Sequence, residues 1–229
     1  MGSLGFDDFK AQVQYRMGQD TAPESVGSDS LNYYGIWVNK AYRQICTSHK
    51  LYTIPKRFYF PELETSTTAT TTDGTAYVSV PSDALVIRTV FDSTNSTKLT
   101  YIPWRTYLAY TDRATAASEG DATEWTRASG RIYLHPTPST TGDTMTIYYK
   151  KVPADLSGSD TTAIGEEWDE PVVILAAHKG FMWTGDFEKA KMAKEEFIEI
   201  VMGLASVYDT EEIDRDATWE PSSSYMPGT

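Results

Sequence analysis

The residues of this sequence that most readily do chemistry, its three histidines and single cysteine, are scattered. His49, His135 and His178 fall in different predicted elements, and none has a second histidine or a cysteine at the spacing of metal sites. His178 has alanine and phenylalanine neighbours, which is typical of a core or subunit-contact histidine. Cys46 lies on an apolar helix face and is expected to be a small buried residue. We therefore predict no metal ligand and no cofactor.

Carboxylates are the other candidates for catalysis, because a glycosidase needs two of them facing one another. The pairs Glu166-Glu167 and Asp169-Glu170 stand at a predicted helix N-terminus, where the helix dipole favours acidic residues. The sequence contains no glycine-rich loop ending in Lys-Ser/Thr and no Gly-x-Ser-x-Gly elbow. We predict no catalytic residue. An enzyme that uses paired carboxylates in a cleft is kept as an alternative hypothesis.

Tyrosines supply a third possible chemistry, the stacking of sugars on aromatic rings. Tyr107, Tyr110, Tyr148 and Tyr149 are the candidates for such a platform. Neighbouring aromatic residues in a strand more often divide between a core and a subunit interface. A β-sandwich module of a phage or bacterial protein that binds carbohydrate is therefore a second alternative.

Composition limits the classes of partner. The 229 residues carry a formal charge of −12, which argues against a free nucleic-acid binder and against binding to an anionic membrane surface. The hydrophobic share of 40% and the 15 tyrosines are typical of a folded protein. A single cysteine cannot form an internal disulfide, and no apolar run approaches the roughly 18 to 20 residues of a membrane helix. We expect a soluble protein without membrane contact, kept in the cytoplasm or in a particle assembled there.

Two amphipathic helices are predicted before Pro55. In the first, apolar residues recur at helical spacing from Phe6 to Met17, after Ser3 as a possible N-cap. In the second, the apolar residues alternate steps of three and four from Leu31 to Ile45. Each helix is therefore expected to bury one face.

The chain from 56 to 156 changes to short β-branched and aromatic runs between turn residues. Six strands are predicted, at residues 58–60, 76–80, 86–91, 98–101, 131–134 and 145–150. Pro103 to Tyr110 is predicted to form one or two helical turns, and residues 111–130 a long polar loop. Six short strands favour a small antiparallel β-sandwich or barrel.

Two more helices are predicted after a polar linker at residues 157–162. The first begins near Trp168 and includes Met182 or Trp183 on its apolar side, and the second follows Asp186 as its N-cap. We predict an α+β fold. Residues 1–55 and 163–208 form one discontinuous four-helix bundle-like domain, and residues 56–156 form a β domain inserted into it. Two separate helical pairs are the alternative.

An acidic tail is predicted from residue 209 to residue 229. It holds six acidic residues against one arginine, a net charge of −5. Its apolar residues Ile213, Trp219, Tyr225 and Met226 stand isolated, so the tail cannot form its own core and is expected to be extended unless it docks on a partner. These four residues are the predicted partner-binding residues.

Several ordered motifs give the chain a family resemblance. They are Asn39-x-Ala41-Tyr42-x-x-Ile45, residues 76–83 (AYVSVPSD), Leu134-x-Pro136-x-Pro138, Tyr148-Tyr149-Lys150-Lys151-x-Pro153-x-x-Leu156 and Trp168-x-x-x-Val172. Together they span most of the chain, and their order resembles that of the head-to-tail adaptor (connector) proteins of tailed bacteriophages.

The resemblance implies a virion structural protein at the neck, the head-tail junction, assembled in the host cytoplasm. It implies a homo-oligomeric ring, dodecameric as is typical of the family, that lies between portal protein and tail proteins and lines the DNA channel. DNA would pass through without specific binding, because like charge keeps phosphates from being trapped. It also implies a C-terminal segment that reaches the portal, which we carry over to residues 209–229.

Overall fold

The computed structural model describes residues 3–18, 33–48, 51–52, 54, 58–113 and 119–205. These residues form two compact units. Among the described residues, the helical unit combines the chain up to Leu63 with residues 152–205, and the β unit runs from Glu64 to Lys151. Each unit has its own cluster of buried apolar side chains.

The elements of both units follow in chain order. They are α1 (Phe6–Arg16), α2 (Tyr33–Thr47), β1 (Glu64–Thr70), β2 (Tyr77–Ser79), β3 (Ala84–Asp92), β4 (Thr97–Lys98), β5 (Thr100–Tyr101), α3 (Trp104–Arg113), β6 (Glu124–Ala128), β7 (Arg131–His135), β8 (Thr144–Lys151), α4 (Asp169–Thr184) and α5 (Phe187–Leu204). Short 3-10 turns stand at Pro61–Leu63 and Glu166–Trp168.

Helix α4 is the centre of the helical unit. The residues from Val172 to Ala177 are all buried, so α4 is apolar around its whole circumference, and α1, α2 and α5 pack against it. In a four-helix bundle each helix contributes one apolar stripe to a shared core. The predicted four-helix bundle is therefore wrong: three helices surround a fourth. The α+β class itself is consistent with the structure.

The ends of the helices follow local chemistry. Asp186 caps α5 as the sequence predicts, and its carboxylate accepts a hydrogen bond from the Lys189 backbone N–H at 3.2 Å. Helix α1 instead begins at Phe6, with Gly5 before it, so Ser3 is not its cap. The Ser3 hydroxyl lies 3.5 Å from the Asp169 carboxylate at the start of α4.

The β unit contains two four-stranded sheets. One has the order β1-β8-β3-β4 and is antiparallel throughout; the other has the order β2-β7-β6-β5. In the second sheet β5 runs parallel to β6, with Thr100 opposite Glu124, so a purely antiparallel sandwich or barrel is also wrong. Residues of both sheets share one buried cluster, which includes Val90, Trp125 and Ile147.

Three segments differ from the strand predictions. Residues 64–70 form β1 although they are rich in threonine, and Glu124–Ala128 form β6 inside the predicted loop. Phe58 and Phe60 do not form a regular strand; their rings pack edge-on against Trp168 in the helical unit, with centroids 4.7 and 5.2 Å away.

The enclosure of α4 predicts that its opposite sides are equally sensitive to truncation. Val172 and Ile174 lie about 200° apart around the helix, and both are buried. We expect Ile174→Ala to lower the free energy of unfolding by about 2–5 kcal/mol, and Val172→Ala to lower it by at least about 1 kcal/mol. Urea denaturation followed by circular dichroism measures both, with exposed Met192→Ala as the matched control. If either core variant lowers the free energy of unfolding no more than the control does, α4 is not enclosed.

Candidate assembly surface

The carboxylates at the start of α4 hold the helical unit together. Buried Asp169 accepts hydrogen bonds from the Leu4 backbone N–H at 2.7 Å and from the Thr162 hydroxyl at 3.0 Å. Burial raises the pKa of the Asp169 carboxyl, while these hydrogen bonds lower it in part. The side chain therefore ties the N-terminal segment and the chain before α4 to the helix.

Glu170, the neighbour of Asp169, belongs to an ion-pair network between three helices. Arg16 of α1 contacts Glu170 of α4 at 3.4 Å and Glu196 of α5 at 2.9 Å. Two of the four carboxylates considered for catalysis thus make structural contacts. Within the described residues, no three His, Cys, Asp or Glu side chains group to hold a metal ion.

The histidines and the cysteine also lie apart. Nδ1 of His178 donates to the Ala190 carbonyl at 2.8 Å, which joins α4 to α5. His135 ends β7 and stacks on Tyr110 with ring centroids 4.6 Å apart. Cys46 is buried in α2. His49 lies outside the described residues.

The four candidate sugar-stacking tyrosines do not form a platform. Tyr107 and Tyr149 are buried, and the Tyr149 hydroxyl donates to Asp83 at 3.0 Å. Tyr110 is 38% exposed but stacks on His135, and Tyr148 is 45% exposed. Tyr148 and Tyr149 belong to β8, whereas Tyr107 and Tyr110 belong to α3.

A cleft of about 300 Å³ opens in the β unit. It is lined by Arg88, Thr89, Lys98, Leu99, Thr100, Tyr101 and Trp125. Arg88 pairs with Glu64 at 3.0 Å, and no carboxylate belongs to the described lining of the cleft. It is thus not a cleft in which two carboxylates face one another.

Exposed large apolar side chains are concentrated on the helical unit. They are Tyr15, Tyr33, Tyr59, Met182, Trp183, Phe187, Met192 and Met202, against Leu108, Tyr110 and Tyr148 on the β unit. Met182 or Trp183 was predicted to lie on the apolar side of α4, but both side chains are exposed, by 49% and 63%. Exposed apolar side chains that lie side by side are typical of a surface that contacts another protein, and Tyr33 and Trp183 are such a pair, with ring centroids 4.9 Å apart.

Trp183 stands over the contact between α2 and α4. Its ring centroid lies 4.9 Å from that of Tyr33 and 5.9 Å from that of buried Trp37. Gly180 permits Met17 of α1 and Trp37 of α2 to come close to α4, because a Cβ there would lie 2.5 Å from the Met17 sulfur and 2.9 Å from the Trp37 ring. The exposed tryptophan is thus supported by two rings beneath and beside it.

Two lysines continue this surface along the same helices. Nζ of Lys179 donates a hydrogen bond to the Gln44 side chain at 2.6 Å. Burial is the main cause that lowers the pKa of Lys179, and the positive charge of Lys40 lowers it further. Neither lysine forms a salt bridge with a carboxylate of the described chain. We name the surface of Tyr33, Trp183, Lys40 and Lys179 the α2–α4 seam.

The predicted docking residues Ile213, Trp219, Tyr225 and Met226 lie outside the described residues. The structure thus leaves them untested as partner-binding residues. Among the described residues, no helix is long and apolar enough to cross a membrane. Trp183 was missed as a surface residue, because its place in the apolar pattern of α4 gave no sign of its exposure.

The family described as SU10 adaptor protein matches residues 5–221, almost the whole chain. A comparison with individual curated proteins gives no match. The chain belongs to the SU10 adaptor protein family, and the resemblance to phage head-to-tail adaptors is confirmed. It is a structural adaptor protein of a bacteriophage virion, in a family that is not an enzyme class and that interacts with portal and tail components.

The His178 contact predicts a pH dependence of stability. Burial lowers the pKa of His178 below its usual 6.5, although the hydrogen bond to Ala190 raises it in part. The unfolded chain therefore binds this proton more readily than the folded chain. The contribution of neutral His178 to the free energy of unfolding is complete above about pH 6.5. It is lost as the pH falls below that value towards the pKa of His178 in the folded protein.

We expect His178→Asn, which keeps a donor near the Nδ1 position, to reduce the loss of unfolding free energy between pH 7 and pH 5. Urea denaturation of both chains at several pH values measures the two slopes. Equal slopes would show that His178 does not titrate differently on folding.

Proposed function

We propose that this adaptor forms a homo-oligomeric ring at the neck, between the portal protein and the tail proteins, after assembly in the host cytoplasm. Family membership supports the adaptor role, and the exposed apolar surface of the helical unit is the observation that carries ring formation. The dodecameric stoichiometry is taken from the resemblance to phage connectors. A ring requires two different complementary faces on each copy.

We propose that the ring lines the DNA channel without specific binding. The formal charge of −12 supports this, because the phosphates of passing DNA are repelled rather than trapped by an acidic surface. No catalytic step belongs to this proposal. The carbohydrate-binding alternative keeps only Tyr110 and Tyr148 of its four rings on the surface, so we do not pursue it.

The domain organisation enters the same proposal. We take residues 1–55 and 163–208 as a discontinuous helical domain for assembly, residues 56–156 as an insertion and residues 157–162 as a linker. The compact helical unit extends further along the chain, to Leu63 and from Val152. The insertion then presents its loops to a neighbouring component of the neck. The helical domain supplies the contacts between copies.

The acidic tail, residues 209–229, is proposed to dock on the portal. Its net charge of −5 and its isolated Ile213, Trp219, Tyr225 and Met226 support this, because such a segment binds by folding onto a partner with its aromatic residues as anchors.

A mass measurement tests the ring. The full chain is mixed with the purified portal protein of the same phage, and native mass spectrometry counts adaptor copies per portal. We expect one discrete multimer on each portal. Single copies bound at random, or no binding at any concentration, would contradict the ring.

Deletion of residues 209–229 tests the tail. We expect an unchanged thermal midpoint, because the predicted core ends before residue 209, together with loss of cosedimentation with portal. The double variant Trp219→Ala/Tyr225→Ala should also weaken cosedimentation with portal. The double variant Ser222→Ala/Ser223→Ala is the matched control. Loss of the fold on deletion would show that the tail belongs to the core, and unchanged attachment would show that it does not dock.

A further inference from the structure

The α2–α4 seam has the features of an anchor site. Trp183 is 63% exposed, yet Tyr33 and Trp37 hold its ring in place. A preordered aromatic side chain loses little conformational entropy when a partner covers it, and tryptophan is among the commonest hot-spot residues. Lys40 and Lys179 place two positive charges beside it, so the seam fits a partner that is acidic and apolar.

Helix α5 carries a surface of that chemistry on its outer side. Five of its exposed residues follow a 4-3-4-3 spacing, which forms one straight stripe along a helix. The members of this α5 stripe are Glu188, Met192, Glu195, Glu199 and Met202. The stripe offers two thioether side chains and three carboxylates, of which Glu195 pairs with Lys191 of the same helix at 3.9 Å. The opposite side of α5 is buried against α4.

The spacing of the two surfaces agrees. Trp183 and Lys179 are four residues apart on α4, about 6 Å along the helix. On α5, Met202 and Glu199 have a similar separation, three residues or about 4.5 Å. A methionine sulfur contacts aromatic rings favourably, and a carboxylate neutralises a lysine. Helix α5 of one copy can thus place a methionine of its stripe on Trp183 and a glutamate on Lys40 or Lys179.

The two surfaces lie on different sides of the helical unit. The seam is formed where α2 meets α4, whereas the stripe is the side of α5 that points away from α4. A contact between them is therefore heterologous, the kind that generates rings. We propose that the α5 stripe of one copy packs into the α2–α4 seam of a second copy, as the subunit contact of the proposed ring.

Sedimentation of the full chain tests this contact. The wild-type chain is expected to associate as concentration rises, and added salt should weaken association because the lysines and glutamates are near the surface. Trp183→Ala and Glu199→Lys should each lower the association constant about tenfold or more, as loss of one hot-spot residue does. Tyr148→Ala on the β unit is the matched control. Thermal midpoints verify that each variant folds.

Pairing the two surfaces gives a sharper test. Lys40→Glu and Glu199→Lys should each impair association, and mixing the two variants should restore it. Likewise Lys40→Cys and Glu199→Cys should form a disulfide-linked dimer when mixed under mild oxidation, with Glu167→Cys in place of Glu199→Cys as the control. Folded variants that associate like wild type, or a mixture that forms no cross-link above the control, would overturn the proposal.

The result is separable from that of the proposed function. If the adaptor binds portal as a multimer while Trp183→Ala and Glu199→Lys leave association unchanged, the ring stands and its contact lies elsewhere. If Trp183→Ala weakens portal binding but not self-association, the seam receives the portal and the proposal is wrong. A wild-type chain that stays monomeric at the highest soluble concentration also contradicts this contact, whatever the portal experiment gives.

Discussion

The apolar residues from Val172 to Ala177 are buried only if other helices cover α4 on every side. The covering helices come from both sides of α4 in the sequence. Helices α1 and α2 precede the β unit, and α5 follows α4 directly. Asp169 strengthens this dependence, because its buried carboxylate binds the backbone N–H of Leu4 from the opposite end of the described chain. The helical unit is therefore complete only when the segments on both sides of the β unit have come together.

Coverage of α4 also determines which surfaces are left for other proteins. The inner sides of α1, α2 and α5 are occupied by α4, so any further contact must use their outer sides and the ends of the helices. Trp183, Phe187, Met192 and Met202 occupy such positions. Side chains of this kind contribute little to the stability of an isolated copy, and in a phage adaptor they are suited to contacts within the neck.

The sequence predicted the helices correctly where apolar residues recur at helical spacing between polar ones. Phe6, Phe9 and Val13 of α1 and Ala190, Phe197 and Val201 of α5 are buried as their spacing indicates. The run from Val172 to Ala177 has no polar gap, which favours a helix buried on all sides over one with a single apolar stripe. The four-helix bundle prediction failed because it assigned this run a single stripe. Strand β1 was missed because its threonines resemble a polar loop. The parallel pairing of β5 with β6 depends on contacts between distant segments that no local pattern reveals.

The surface was predicted less well than the core. Met182 or Trp183 was placed on the apolar side of α4 because that helix end appears apolar, whereas both are exposed and the Trp183 ring lies against Tyr33 and Trp37. The family was recognised from ordered motifs that span most of the chain, and the match over residues 5–221 confirms it.

A cryo-electron microscopy reconstruction of the head-tail junction of the phage tests the central claim most directly. The account predicts a closed ring of this chain between portal and tail, around an open channel, with the α5 stripe of each copy in the α2–α4 seam of the next. A junction that lacks the chain, or holds it as isolated copies without mutual contact, would contradict it.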